Sequence, residues 1–179
     1  DIHPASVSSA QLITEANPNL KKAINIRLQK TPKNIFKGII KPTDRFDLTL
    51  CNPPFHASQE EANATATKKL RNLGKQEKGS KLVLNFGGQK NELWCNGGEE
   101  HFVCQMVEES VVFAQQCFWF STLVSKKTTL PMLLKALRNI GALEVKTVNM
   151  AQGQKESRFV AWTFLDSKQQ QDWIRARWK

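Results

Sequence analysis

Directly after the short apolar run Phe46-Asp-Leu-Thr-Leu-Cys51 stands the tetrapeptide Asn52-Pro53-Pro54-Phe55. Two consecutive prolines cannot continue a strand ladder, so the strand stops there and the backbone beyond it is stiff. The four residues offer a carboxamide, a backbone carbonyl on a fixed frame and an aromatic face. A plainer reading competes: a rigid proline turn closing a strand, with Phe55 in the core. His56 follows and invites a general-base role, but an unreactive neighbour is the preferred reading. His101 falls in an acidic helix and reads as solvated.

Other chemistries are poorly supported. The four cysteines, Cys51, Cys95, Cys104 and Cys117, form no C-x-x-C pair and have no histidine cluster beside them. They read as reduced thiols in a cytoplasmic setting, with no metal site. No G-x-G or G-x-G-x-x-G occurs. No apolar run reaches the ~20 residues of a membrane span, so no membrane partner is expected. The 179 residues carry 26 Lys and Arg against 16 Asp and Glu, a net charge of +10. The densest basic stretch is Lys68, Lys69, Arg71, Lys75, Lys78 and Lys81, opposed only by Glu77. Such clustering attracts polyanions by counterion release, or it is a solvated surface. Residues 91–125 carry five Glu and no Lys or Arg.

The elements that must position these residues follow from periodicity. Residues 5–17 read as a helix ended by Asn-Pro. Ile24, Ile26 and Leu28 alternate with polar residues as in a strand. Residues 57–85 read as a polar, basic loop with some helix. Glu99–Gln116 is a helix with Phe102, Met106, Val107 and Val111 on its apolar face, and its acidic first turn suits the macrodipole. Cys117–Val124 is a buried strand. Leu130–Asn139 is a helix closed by Gly141. Val145–Met150 and Arg158–Leu165 form a hairpin, and Asp166 caps a last helix. Strands alternating with helices mean an α/β fold with a mostly parallel sheet, to which the hairpin adds an antiparallel edge strand. Ligands in such sheets bind at the carboxyl ends of strands, where Asn52–Phe55 sits.

Leu50–His56, Arg71–Gly74, Leu84–Gln89, Glu92–Cys95 with Gly97–Glu99, Met150–Lys155 and Ala161–Phe164 together resemble the bacterial 23S ribosomal RNA adenine-N(6) methyltransferase family. The resemblance covers nearly the whole chain. It implies a Rossmann-like class I sheet and S-adenosylmethionine as cofactor. It also implies that residues 1–179 are a partial catalytic domain, the C-terminal part of the enzyme without its first strand, glycine loop and first helix. Residues 57–98 would then be a basic substrate-binding insertion. Asp1 matches the acidic residue that hydrogen-bonds the cofactor ribose, Gln29 stands where the cofactor's adenine is commonly contacted, and Asn52 borders the same pocket.

The reaction so implied is methyl transfer to the exocyclic amino nitrogen of adenine in 23S ribosomal RNA or a large-subunit assembly intermediate. That nitrogen is a poor nucleophile because its lone pair is delocalised. The Asn52 side-chain carbonyl and the Pro53 backbone carbonyl would accept its two hydrogens, Pro54 would hold the frame, and Phe55 would stack on the flipped base. The six basic residues from Lys68 to Lys81 would hold RNA phosphates. Trp173 and Trp178 are further stacking candidates, while Trp119 and Trp162 read as core. Rival readings are a DNA or protein-glutamine amide methyltransferase, which shares the tetrapeptide, and a non-catalytic basic RNA-binding module.

Overall fold

The computed structural model describes residues 1–72, 93–152 and 155–178. The chain divides into two compact units, Asp1–Arg45 and Phe46–Lys179.

The first unit begins with helices α1 (Pro4–Ala16) and α2 (Pro18–Lys21), each with proline in its first turn. Proline fits there because the first helical N–H groups have no intrahelical partner. The rest of the unit is irregular and is organised by Arg27. Its guanidinium pairs with Asp44 and donates to the Ile39 carbonyl at 2.7 Å. The alternating residues Ile24, Ile26 and Leu28 do not form an assigned strand. A trace of pairing survives: Asp1 N donates to Arg27 O at 3.0 Å, and Gln29 N donates to Asp1 O at 2.7 Å. Those two bonds flank Leu28 in the pattern of a parallel pair.

The second unit is built on a four-stranded sheet of order β1-β2-β4-β3. Its strands are β1 (Phe46–Leu48), β2 (Cys117–Val124), β3 (Glu144–Gln152) and β4 (Lys155–Thr163). β1 and β2 are parallel, and β4 is antiparallel to both of its neighbours. Three strands therefore run one way and β4 alone opposes them. This corrects the expectation of an antiparallel strand at the edge, because β4 lies inside and β3 forms the border. Composition explains the placement. β4 carries Val160, Ala161 and Trp162, all buried, whereas Val148 and Met150 of β3 stay exposed. A strand buried on both faces sits inside the sheet, and one that leaves its apolar residues exposed lies at the border.

Helices α3 (Gln59–Asn72), α4 (Gly98–Ser110), α5 (Thr129–Asn139) and α6 (Ser167–Arg177) complete the unit. α3 occupies much of the segment read as loop. α4 stops at Ser110 and passes into a single 3-10 turn, Val111–Phe113. This is why Val111, expected on the apolar face, is exposed, while Val103, Met106 and Val107 are buried. The core lies between α4, α5 and one face of the sheet. There Phe120 stacks on Trp162 with centroids 5.8 Å apart. The Trp162 indole donates to Ser110 Oγ at 3.0 Å, so this buried polar atom is satisfied.

α5 ends in a Schellman motif, with Gly141 N donating to Arg138 O and Ala142 N to Leu137 O. Gly141 has φ of 74°, a conformation that favours glycine. α6 starts in a capping box formed by Asp166 and Gln169.

Candidate active site

Pairing between the first two strands runs on past the end of β1. Thr49 N donates to Trp119 O at 2.9 Å, Ser121 N to Thr49 Oγ1 at 3.1 Å, and Leu123 N to Cys51 O at 2.9 Å. The Ser121 hydroxyl also bonds the Thr49 carbonyl. Cys51 is thus fixed to β2, and the next residue is Asn52. The tetrapeptide leaves the carboxyl end of a parallel strand, where sheets of this class place their ligands.

Its far end is fixed as well. His56 N donates to Leu93 O and Cys95 N to His56 O, both at 3.1 Å, which makes an isolated parallel bridge between His56 and Trp94. α3 then starts on a cap: Ser58 Oγ accepts from Glu61 N at 3.2 Å, and Glu61 Oε2 accepts from Ala57 N at 2.7 Å. The bond from Ala57 N, ahead of the attraction of Lys126 and His56, holds the Glu61 carboxyl below its ordinary range. Between these anchors Pro53 is buried, Pro54 and Phe55 are half-buried, and Asn52 is exposed. Among the described residues the Asn52 carboxamide has no hydrogen-bond partner, so it is available to a ligand.

The segment 93–99 braces this loop. Gly97 and Gly98 have φ of 81° and 65°, so the chain turns sharply into α4. Gly98 lies against Ala57: a Cβ there would stand 3.3 Å from the Ala57 nitrogen and 3.4 Å from its Cα. The next residue, Glu99, is fully buried. Its carboxylate accepts from Ser125 N at 2.9 Å, from Lys126 N at 3.0 Å and from the Ser125 hydroxyl.

The residues expected to meet a cofactor in the first unit behave differently from each other. Asp1 is exposed, and its Oδ1 accepts from His3 N at 2.8 Å. The carboxylate is held in place and faces solvent, which suits a hydroxyl-binding role. Gln29 is buried, with Nε2 donating to Lys37 O at 2.9 Å and Oε1 accepting from Thr31 N at 3.0 Å. Both polar atoms of its side chain are engaged inside the loop, so Gln29 holds the backbone of residues 29–38 in shape.

The backbone of Lys68, Lys69 and Arg71 lies on α3, but their side chains fall outside the described residues. Lys75, Lys78, Lys81 and the Leu84–Gln89 motif also lie outside them. Trp173 and Trp178, the candidate stacking platforms, both lie against Phe118, Trp173 half-buried and Trp178 exposed. Trp173 Nε1 donates to Asp47 Oδ1 at 2.7 Å, and Phe118 lies 6.0 Å from the Trp173 ring and 5.1 Å from that of Trp178. Trp162 is core as expected. Trp119 is half-buried under Lys146 Nζ, 4.7 Å from its ring centroid.

All four cysteines are free. Burial pushes the thiols of Cys51 and Cys117 up to about 11 and about 12, so neither is a ready nucleophile. Among the described residues no group of three His, Cys, Asp or Glu side chains could hold a metal ion. No helix among them is long and apolar enough to cross a membrane.

A family model described as RNA methyltransferase matches residues 1–166. The chain is 56% identical over 179 residues to ribosomal RNA large subunit methyltransferase F of Serratia proteamaculans, covering 100% of this chain and 53% of the relative. It is also 56% identical over 178 residues to the protein of that name from Yersinia enterocolitica, covering 99% of this chain and 53% of the relative. The chain therefore spans about half the length of the curated relatives it matches. Among solved structures, the hMettl16 catalytic domain in complex with MAT2A 3′UTR hairpin 1 superposes with a TM-score of 0.72 at 26% identity, over 93% of this chain and 55% of that one. The N-terminal domain of human METTL16 in complex with SAH shares the fold, with a TM-score of 0.61 at 23% identity, over 93% of this chain and 51% of that one.

Proposed function

The chain belongs to the RNA methyltransferase family, and from that premise we propose that it carries the target-base site of an S-adenosylmethionine-dependent enzyme. The substrate is an adenine in 23S ribosomal RNA, free or in a large-subunit assembly intermediate, and the setting is cytoplasmic. The observation that carries this reading is the clamped tetrapeptide: Cys51 tied to Leu123, His56 tied to Leu93 and Cys95, and between them an exposed Asn52 whose side chain has no hydrogen-bond partner among the described residues. The relatives, about twice this length, are named for large-subunit ribosomal RNA, which supports the RNA class of the substrate.

The chain's own residues do three things. The Asn52 carbonyl and the Pro53 backbone carbonyl accept the two hydrogens of the adenine amino group, which draws its nitrogen toward a tetrahedral shape and exposes the lone pair. Acceptors fixed in advance stabilise the positive charge that grows on nitrogen, with no reorganisation cost at the moment of reaction. Phe55 stacks on the base once it has left its helix, and the stiff Pro53-Pro54 backbone keeps the acceptors aimed. The cofactor, when bound, supplies an electrophilic methyl group on a sulfonium that is its own leaving group. Asp1 would hold the cofactor's ribose hydroxyls, and Gln29 shapes the loop after it. The basic residues Lys68, Lys69, Arg71, Lys75, Lys78 and Lys81 would bind phosphates flanking the target. Holding base and methyl donor together makes the attack a matter of alignment.

The test is methyl transfer by the intact protein to 23S ribosomal RNA lacking its modifications, with nucleosides read by mass spectrometry. One new N6-methyladenosine per RNA is the expected product. Methyl groups found instead in DNA or on a protein glutamine amide would overturn the choice of substrate, and none on any of them would overturn the reading.

A further inference from the structure

The hydrogen bonds around the tetrapeptide form a closed circuit. From Cys51 the chain passes through residues 52–55 to His56. The His56 bridge leads to Leu93 and Cys95, and that segment runs to Gly98, seated on Ala57, and to Glu99. Glu99 crosses to Ser125 and Lys126, which directly follow β2. β2 returns to Cys51 through Leu123. Every link but one runs through backbone atoms. The exception is the Glu99 side chain, fully buried at the first turn of α4, where a negative charge is favoured.

We infer that Glu99 is a positioning residue, whose carboxylate sets the placement of Asn52 and Pro53 by locking segment 93–98 to the carboxyl end of β2. The inference rests on the methyl-transfer reading above. The carboxylate uses both oxygens to accept from three donors. A glutamine of the same shape keeps one acceptor oxygen and turns an NH2 group toward a backbone N–H. That leaves a buried donor unpaired and lets the brace shift. The tetrapeptide is held at both ends by elements the brace connects, so the shift passes to its acceptors. Loss of alignment on the ångström scale costs up to about 100-fold in rate.

The experiment compares Glu99→Gln with Asp166→Ala in the intact protein. Asp166 caps α6 and lies outside the circuit, so its variant controls for plain loss of stability. Rates are expressed per folded molecule, below the melting transition of each variant. Glu99→Gln is expected to lower kcat by about 10- to 100-fold with cofactor and RNA KM within about twofold. Amide exchange at His56 and Cys95, the two bridge donors, should also accelerate. Asp166→Ala should leave kcat and both amides unchanged. Wild-type kcat in Glu99→Gln, or unchanged exchange at both amides, overturns the inference while the proposed function stands. An inactive wild-type protein overturns the proposed function and the inference with it.

Discussion

The carboxylate of Asp47 on β1 accepts a hydrogen bond from the Trp173 indole of α6 at 2.7 Å. Arg177 joins the same carboxylate, with Nε at 2.9 Å from Oδ1. The last helix is thereby fastened to the strand that leads into the tetrapeptide, and Arg177 stacks on the Trp173 ring, 5.3 Å from its centroid.

Trp173→Phe keeps the ring against Phe118 but removes the donor to Asp47. A hydrogen bond to a charged group contributes about 1.5–3 kcal/mol, so the urea midpoint should fall accordingly. RNA affinity should stay the same. Weaker RNA binding at unchanged stability would instead make Trp173 a stacking platform.

Acid should unfold the protein through the aspartates. Asp44 is held down to about 2, first by the bond from Arg27 and then by Lys41 N. Asp47 is held well below the usual carboxylate range, first by Arg177. Their folded pKa values lie below the unfolded value of ~3.9, so their contribution is complete above ~pH 4 and is lost as pH falls through the folded values. Thermal melts from pH 6 to pH 2 should show a steeper decline below pH 4 for the wild type than for an Asp44→Asn, Asp47→Asn double variant. Equal slopes would assign the acid response to other groups.

Asn52→Ala removes the side-chain acceptor and leaves the clamps at Cys51 and His56. Turnover should fall ~100-fold or more, the scale of one preorganised polar interaction. RNA binding should change little. Methyl transfer at the wild-type rate would end the role given to Asn52.

Replacing Lys68, Lys69 and Arg71 with alanine should weaken RNA binding and flatten its salt dependence, by about one unit of slope for each phosphate no longer neutralised. Cofactor affinity should hold. An unaltered slope would leave these residues as a solvated surface.

The sheet is legible in the sequence where burial and periodicity coincide. Cys117–Val124 is a strand over the residues expected because apolar side chains face both ways from it. The position of β4 between β2 and β3 is not legible, since pairing order depends on residues far apart in sequence. α3 reads as mostly loop because its polar composition hides the buried alanine Ala62. Its signal is present in Ser58-Gln-Glu-Glu61, the capping spacing realised in the structure. In the candidate site the tetrapeptide can be found from four letters and their place after a strand. The work of Glu99 cannot, because a glutamate in the first turn of a helix reads as a surface charge until Ser125 is seen beside it. Trp173 and Trp178 stand among arginines, which suggests RNA, and the structure adds partners within the protein, Asp47 and Phe118.

The strand order also carries a consequence for synthesis. A ribosome releases β1, β2 and α5 before β4 exists, and β4 is the strand that pairs with β2 on the side away from β1. At ~5–20 residues per second, β2 waits a few seconds for it. During that interval Cys-Phe-Trp-Phe-Ser-Thr-Leu-Val holds one row of N–H and C=O groups open, an invitation to pair with another nascent chain. β3 and β4 are near neighbours in sequence and pair antiparallel, so they can zip together in microseconds and dock as a finished hairpin. The speed of that local step limits how long the open edge is at risk.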